Sequence, residues 1–249
     1  MFNIEKSKAL LDIFKDKRVA IVGPSPHLIG SGLGSFIDEY DIVCRVNDVH
    51  PTGYESDYGN TTDVVFHNCG TRFIDDFGKR LVQKAYISKN LKCVICPCVK
   101  GLGSDRWQQW DDDYVSPVVE NFKSVNIFNT PFHWIGVKDY KKVYREFGSE
   151  PNAGQTAIIM ILEHEVKELL ISGFSFYAQG NHPSVSHRPG HTNKELENGL
   201  VGEAGHPQGP QVQCFVHKVF KNYKDKIKVD FYLNNLLGLS HDNVLEGDF

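Results

Sequence analysis

An α/β domain built on a mostly parallel sheet is the fold class this chain predicts, on three observations. Short β-branched apolar runs alternate with stretches of helical spacing along much of the length. Residues 18–47 read as strand, glycine-rich loop, short helix and second strand. A second unit of that kind, PNAGQTAIIMILEHEVKELLISGFSF, opens at Pro151. The 249 residues suit one Rossmann-like domain, 1–249, with helices on both sheet faces and a flexible, lid-like segment near 178–210.

The elements follow in order. Ile4, Leu10, Leu11, Ile13 and Phe14 predict an amphipathic helix over 4–16. The run Val19 to Val22 predicts the first strand, which stops at Gly23. Gly30, Gly32 and Gly34 continue the loop, and Ile42 to Val46 is the second strand, closed by Asn47. Glycines let the backbone come close to a ligand, so free N–H groups of this loop are expected to face a phosphate. A third strand is expected at 62–67, a helix at 71–89, a fourth strand at 92–99 and a polar loop with Trp107 and Trp110 after it. A short strand at 125–130 precedes a helix at 137–147. Pro151 and Asn152 turn the chain, Gly154 admits close approach, a helix runs from about 155 to 164, and the strand LLISGF ends at Gly173. A helix near 211–223 and a strand over 226–233 close the sheet.

Composition narrows the function. Hydrophobic residues are 41% and charged residues 23%, enough for a packed core. A net charge of −4 without a basic run argues against nucleic-acid binding. The N-terminal MFNIEKSKALLDIFKDKR is charged throughout, and no stretch reaches spanning length, so no membrane span is expected. A cytoplasmic protein of bacterial or viral type fits. Of six cysteines, Cys93, Cys96 and Cys98 lie in the alternating KCVICPCVK, which reads as strand. A zinc knuckle needs a second paired set, so reduced core thiols are expected ahead of a metal or a disulfide. The acidic run at 111–113 is expected to be a solvated turn, and His67 a satisfied core residue.

The order of residues says more than the glycines. VAIVGPSPHLIGSGLGSFIDEYDIVCRVNDVHPTGYESDYGNTTD resembles the large sialylmotif of the eukaryotic-type sialyltransferases, glycosyltransferase family 29. The matching positions include Val22, Gly23, Ser25, Leu28, Ser31, Gly34, Ile37, Asp38, Arg45, Asn47, Gly53, Glu55, Asp57 and Gly59. Pro151, Gly154, Val166, Gly173 and Phe174 are similar to the small sialylmotif. His206, five residues before Gln211, resembles the very small motif, with glutamine in place of its glutamate. Pro24 stands where the family has asparagine, and Ala20 replaces the first cysteine of the family's disulfide.

The resemblance implies a GT-A-variant fold and a metal-independent, inverting transfer with no cofactor. Sialic acid or a related nonulosonic acid would move from a CMP-sugar donor to a hydroxyl of a glycan acceptor. His206 is implied as the base, since an imidazole suits deprotonation near neutral pH. His187, His182 or Arg188 would assist phosphate departure, with His187 the first candidate and His191 a further third-motif candidate. Donor contacts are implied at Gly23, Pro24, Ser25, Asn47, Asn152, Ala153, Gly154, Gly173 and Phe174. Pro24 and Gln211 keep two other readings in view: a non-catalytic CMP- or nucleotide-sugar-binding protein, and a transferase using another nucleotide sugar.

Overall fold

A computed structural model of the chain describes residues 2–47, 51–69, 91–98, 118–126, 128–148, 151–176, 208–239 and 244. The expected helix at 71–89, the loop with Trp107 and Trp110, the acidic run 111–113 and nearly all of the expected lid lie outside the described residues.

Seven strands form one sheet: β1 (Arg18–Val22), β2 (Ile42–Val46), β3 (Val64–Phe66), β4 (Cys93–Cys96), β5 (Phe132–Trp134), β6 (Glu168–Ser172) and β7 (Ile227–Val229). Their order is β5-β4-β3-β2-β1-β6-β7. Every neighbouring pair is parallel, with Val22 opposite both Arg45 and Ser172. The chain winds outward from β1 in one direction and then returns to its other side. The carboxyl ends of β1 and β6 therefore flank a topological switch point, where open α/β sheets form a crevice.

Alternate residues on the strands explain why both faces are covered. Val19, Ile21, Cys44, Leu169 and Ile171 enter the large core, while Ala20, Val22, Val43 and Leu170 enter a second cluster on the opposite face. The large core is closed by helix α1 (Lys8–Phe14) and by those that follow β5 in sequence: α5 (Val137–Phe147), α6 (Ala153–Glu163), α7 (Gln208–Cys214) and α8 (Phe231–Leu237). The opposite face carries α2 (Gly34–Asp38) and α3 (Glu55–Tyr58) through Ile37 and Tyr58, and α4 (Val118–Val125) through Phe122. After α7 the helix widens to a π-helical stretch, Phe215–Phe220, and ends in the turn Lys221–Tyr223.

Three expectations change. The first helix begins at Lys8, because the residues before it form no regular element, with Asn3 at φ +52, and bury Phe2 and Ile4 instead. Phe2 N–H donates to Glu163 Oε1 and Ser7 N–H to His164 Nε2. The strand expected at 125–130 is absent: Asn126 folds the chain into a loop by pairing with both Thr130 N and Thr130 O, and β5 follows it. The strand expected over 226–233 stops at Val229, because Asp230 Oδ1 accepts from Leu233 N and starts α8.

All six cysteines are free thiols. Among the described residues, no group of three or more histidines, cysteines or acids is arranged to hold a metal. Among them, too, no helix is long and apolar enough to cross a membrane.

Candidate functional site

The two sialylmotif-like segments meet at the switch point. Gly23 N–H donates to Ser172 O, and Ser25 N–H to Gly173 O, each at 2.9 Å. A methyl group on Gly23 would stand 2.5 Å from Gly173 O, and one on Gly173 would stand 2.5 Å from Gly23 O. Gly173 also has φ +72, which favours glycine. Gly154 leaves room for the Phe174 ring, whose nearest carbon would lie 2.6 Å from an added Cβ. Glycines at these positions let two strand exits and one helix start pack together.

This corrects the expectation of a phosphate-facing glycine loop. Gly23 and Ser25 have given their N–H groups to β6, and Pro24 has none. Asp57 takes Gly30 N–H at 2.9 Å and Gly32 N–H at 3.0 Å. Ile29 and Ser31 donate to Pro26 O and Leu28 O, and Leu33 donates to Ser31 Oγ. Much of the large motif is likewise an internal brace. Arg45 is fully buried and donates to Tyr58 O, Gly59 O, Thr61 O and Thr62 Oγ1, and burial pulls its pKa down to about 10. Asp38 accepts from Asn60 N and Thr61 N.

Asn47 is different. It follows β2 at φ +54, on the same sheet edge as Gly23, and its N–H donates to Phe66 O. Its side-chain Oδ1 is buried and has no hydrogen-bond partner among the described residues. Such an orphaned acceptor is costly unless a donor reaches it.

The start of α6 offers the complementary feature. Asn152 caps it, with Oδ1 accepting Gln155 N–H at 2.8 Å. The first-turn N–H groups of Ala153 and Gly154 have no intrahelical acceptor, and the helix dipole is positive here. The turn is held from behind. Asn152 Nδ2 donates to Gln211 Oε1 at 2.8 Å, and Gln211 is fully buried. Gln211 thus serves as a structural acceptor, a role an amide oxygen fills as well as a carboxylate.

Two residues that the motif pattern did not single out complete the crevice wall. Ser25 Oγ lies 2.8 Å from His27 Nδ1, and His27 Nε2 lies 3.0 Å from Asp230 Oδ2. A serine, a histidine and an aspartate in line suggest nucleophilic catalysis, but Ser25 is fully buried and no substrate reaches its hydroxyl. The local signal was available: an aspartate three residues before Leu233, at a strand end, is a helix cap. His67, in turn, is a buried residue whose Nδ1 accepts Cys69 N–H. His182, His187, Arg188, His191 and His206 lie outside the described residues.

Comparison with known proteins agrees with the motif order. Residues 7–100 match the sequence profile of glycosyltransferase family 29 (sialyltransferase). Over that region the chain is similar to glycosyltransferase family 29. The matched segment spans the glycine loop, the Arg45 brace and Asn47. A human CMP-N-acetylneuraminate-beta-1,4-galactoside alpha-2,3-sialyltransferase is 44% identical over 52 residues, 21% of this chain and 14% of that protein. A mouse CMP-N-acetylneuraminate-beta-galactosamide-alpha-2,3-sialyltransferase 4 is 25% identical over 186 residues, 69% of this chain and 53% of that protein. The chain therefore matches about half, or less, of the length of these curated relatives. The Campylobacter jejuni sialyltransferase CstII, solved in complex with a substrate analogue, CMP-3FNeuAc, shares the Rossmann-like fold. It superposes with a TM-score of 0.53 at 19% identity, over 94% of this chain and 89% of that one.

Proposed function

We propose that the chain, as a single domain over 1–249, is a sialyltransferase-type glycosyltransferase. It moves sialic acid or a related nonulosonic acid from a CMP-sugar to a glycan hydroxyl, with inversion and without a metal or other cofactor. The observation that carries this reading is the convergence of Asn47, the Asn152 helix start and the Gly23–Gly173 contact at one switch point. The orphaned Asn47 Oδ1 suits a hydroxyl or amine donor of the nucleotide. The N–H groups of Ala153 and Gly154 suit its phosphate. Gly23, Pro24, Ser25, Gly173 and Phe174 form the wall against which the donor lies.

In the reaction the acceptor hydroxyl attacks the anomeric carbon as the bond to the phosphate oxygen breaks. His206 takes the hydroxyl proton, and CMP departs with the bonding electron pair. A single displacement inverts the anomeric centre. Positive charge from Arg188, His187 or His182, together with the α6 dipole, steadies the leaving phosphate in place of a metal.

A thermal-shift series with CMP, CDP, UDP, GDP and NAD tests the donor class. CMP is expected to raise Tm most, and stabilisation by NAD without CMP would overturn the reading. The His206→Ala variant is expected to bind CMP normally and to lose transfer from CMP-sialic acid by at least about a hundred-fold. Retained turnover would remove His206 as the base.

A further inference from the structure

We propose that Ser25, His27 and Asp230 act together as a positioning assembly for the donor nucleotide. This rests on the CMP-sugar reading given above. The three residues are not part of the motif matches taken as a set, and His27 and Asp230 come from opposite ends of the chain. Their convergence is a product of the fold.

Asp230 is the hub. Its Oδ2 accepts from His27 Nε2 at 3.0 Å, Ser172 Oγ at 3.1 Å and Gly173 N–H at 2.8 Å. Its Oδ1 accepts from Leu233 N–H at 2.8 Å. One carboxylate therefore ties together the exit of β1, the exit of β6 and the start of α8. Asp230 is 2% exposed, so these bonds are made in a dry setting where each counts for more.

His27 transmits the hub's position to Ser25. A carboxylate only accepts, so the proton on the bond to Asp230 belongs to His27 Nε2. The other ring nitrogen, Nδ1, pairs with Ser25 Oγ at 2.8 Å. The ring is also stacked on Tyr232, with centroids 4.3 Å apart. Ser25 is fixed from two further sides: its N–H donates to Gly173 O, and its carbonyl accepts from Tyr58 O–H at 2.6 Å. Every polar atom of Ser25 is thereby committed to the protein. The serine thus shapes the Gly23–Pro24–Ser25 turn of the donor wall, with no polar atom of its own left over for the nucleotide. The alternative, a surface pair of little consequence, does not fit side chains that are 7% and 3% exposed.

Three single variants of the chain and one double variant test the proposal, with CMP affinity read by titration calorimetry and folding by thermal unfolding. His27→Phe keeps a ring on Tyr232 and removes both hydrogen bonds. It is expected to weaken CMP about ten-fold, the effect of roughly one net hydrogen bond. His27→Gln, whose amide nitrogen reaches the place of Nε2, is expected to recover most of that affinity. Ser25→Ala is the smaller lesion and decides the matter if His27→Phe does not fold. It is expected to weaken CMP by a similar factor, and the double variant no further than either single one. In transfer assays the loss is expected in the donor KM, with kcat at saturating donor largely kept. Wild-type binding with His27→Phe and Ser25→Ala each within about two-fold of it would overturn the proposal. A wild-type chain that binds no CMP overturns the donor reading instead, and this proposal with it.

Discussion

The loop after β1 and the turn before α6 both set glycines beside the exit of a strand, yet they are chemically opposite. In the first, the N–H groups of Gly23, Ser25, Ile29, Gly30, Ser31, Gly32 and Leu33 all donate to protein acceptors. In the second, the Asn152 side chain takes Gln155 N–H, and Ala153 and Gly154 at the start of an eleven-residue helix have no intrahelical acceptor for their N–H groups. A glycine records that something comes close. Whether that something is a ligand or another piece of backbone depends on which acceptors the fold brings there. Here the glycine-rich loop is scaffold, and the shorter turn with one glycine is the one we propose as the anion site.

The sharpest way to break this comparison is to fill the glycines. A Cβ on Gly34 would lie 2.0 Å from Glu55 O, backbone that cannot swing aside, whereas one on Gly30 meets nothing within 4 Å. Gly34→Ala is expected to cost about 3 kcal/mol. Gly30→Ala costs about 1 kcal/mol, for its left-handed φ of +80 alone. Urea unfolding of both variants checks this. Equal losses would show that α2 and α3 are not in contact as described.

How much of this was legible in the sequence follows from the same physics. Strand and helix alternation was readable because apolar periodicity is local: β2 and α5 fall where the spacing puts them. The family resemblance marked two segments that the fold brings together. It named Asn47 a donor contact and gave no role to Arg45, two residues before it, which is buried under four hydrogen bonds, while Asn47 keeps a buried oxygen without a partner among the described residues. That distinction depends on contacts from Tyr58 to Thr62, which spacing does not encode. His27 and Asp230 were missed because their bond spans 203 positions. The strand expected through residue 233 failed for a local reason, since Asp230 reads equally well as a strand end and as a cap.

Gln211 tests the other side of the comparison, the support behind the open turn. Gln211→Glu keeps an acceptor for Asn152 Nδ2 but places a carboxyl group where nothing is exposed. Burial disfavours the charged form, so the folded-state pKa of the new group rises above its unfolded value of about 4.3. The variant then matches the wild type most closely in acid and loses ground as pH rises through the folded pKa. A deficit of about 2 kcal/mol near neutral pH is expected. A deficit that does not change with pH would mean that the group is solvated. Asn152 probes the turn directly. Asn152→Asp retains the cap, and the Gln211 amide, whose Nε2 lacks a partner among the described residues, can turn to donate to it. Stability is therefore expected to stay within about 1 kcal/mol of wild type, while CMP affinity falls at least about ten-fold from like-charge repulsion. Unchanged CMP affinity would move the anion elsewhere.

The far end of α6 supplies the smallest effect, and it shows the same logic in reverse. His164 closes that helix with both ring nitrogens engaged: Nδ1–H donates to Met160 O, and bare Nε2 accepts Ser7 N–H at 3.2 Å. Burial lowers its pKa below the ordinary 6.5, only partly offset by the bond to Met160. Protonation would set a ring N–H against the Ser7 N–H, so the neutral form belongs to the fold. The group's folded pKa is depressed, so its contribution is complete above the unfolded value and is lost as pH falls through the folded one. A decrease of less than about 1 kcal/mol between pH 7 and pH 5 is expected from this residue. His133, also lowered by burial, adds to the wild-type slope. His164→Gln, which keeps a donor and an acceptor without a titrating ring, is therefore expected to flatten the Tm-against-pH profile in part. An identical profile would mean that His164 titrates alike in the folded and unfolded chain, and the extended segment around Ser7 would then be held by something other than this ring.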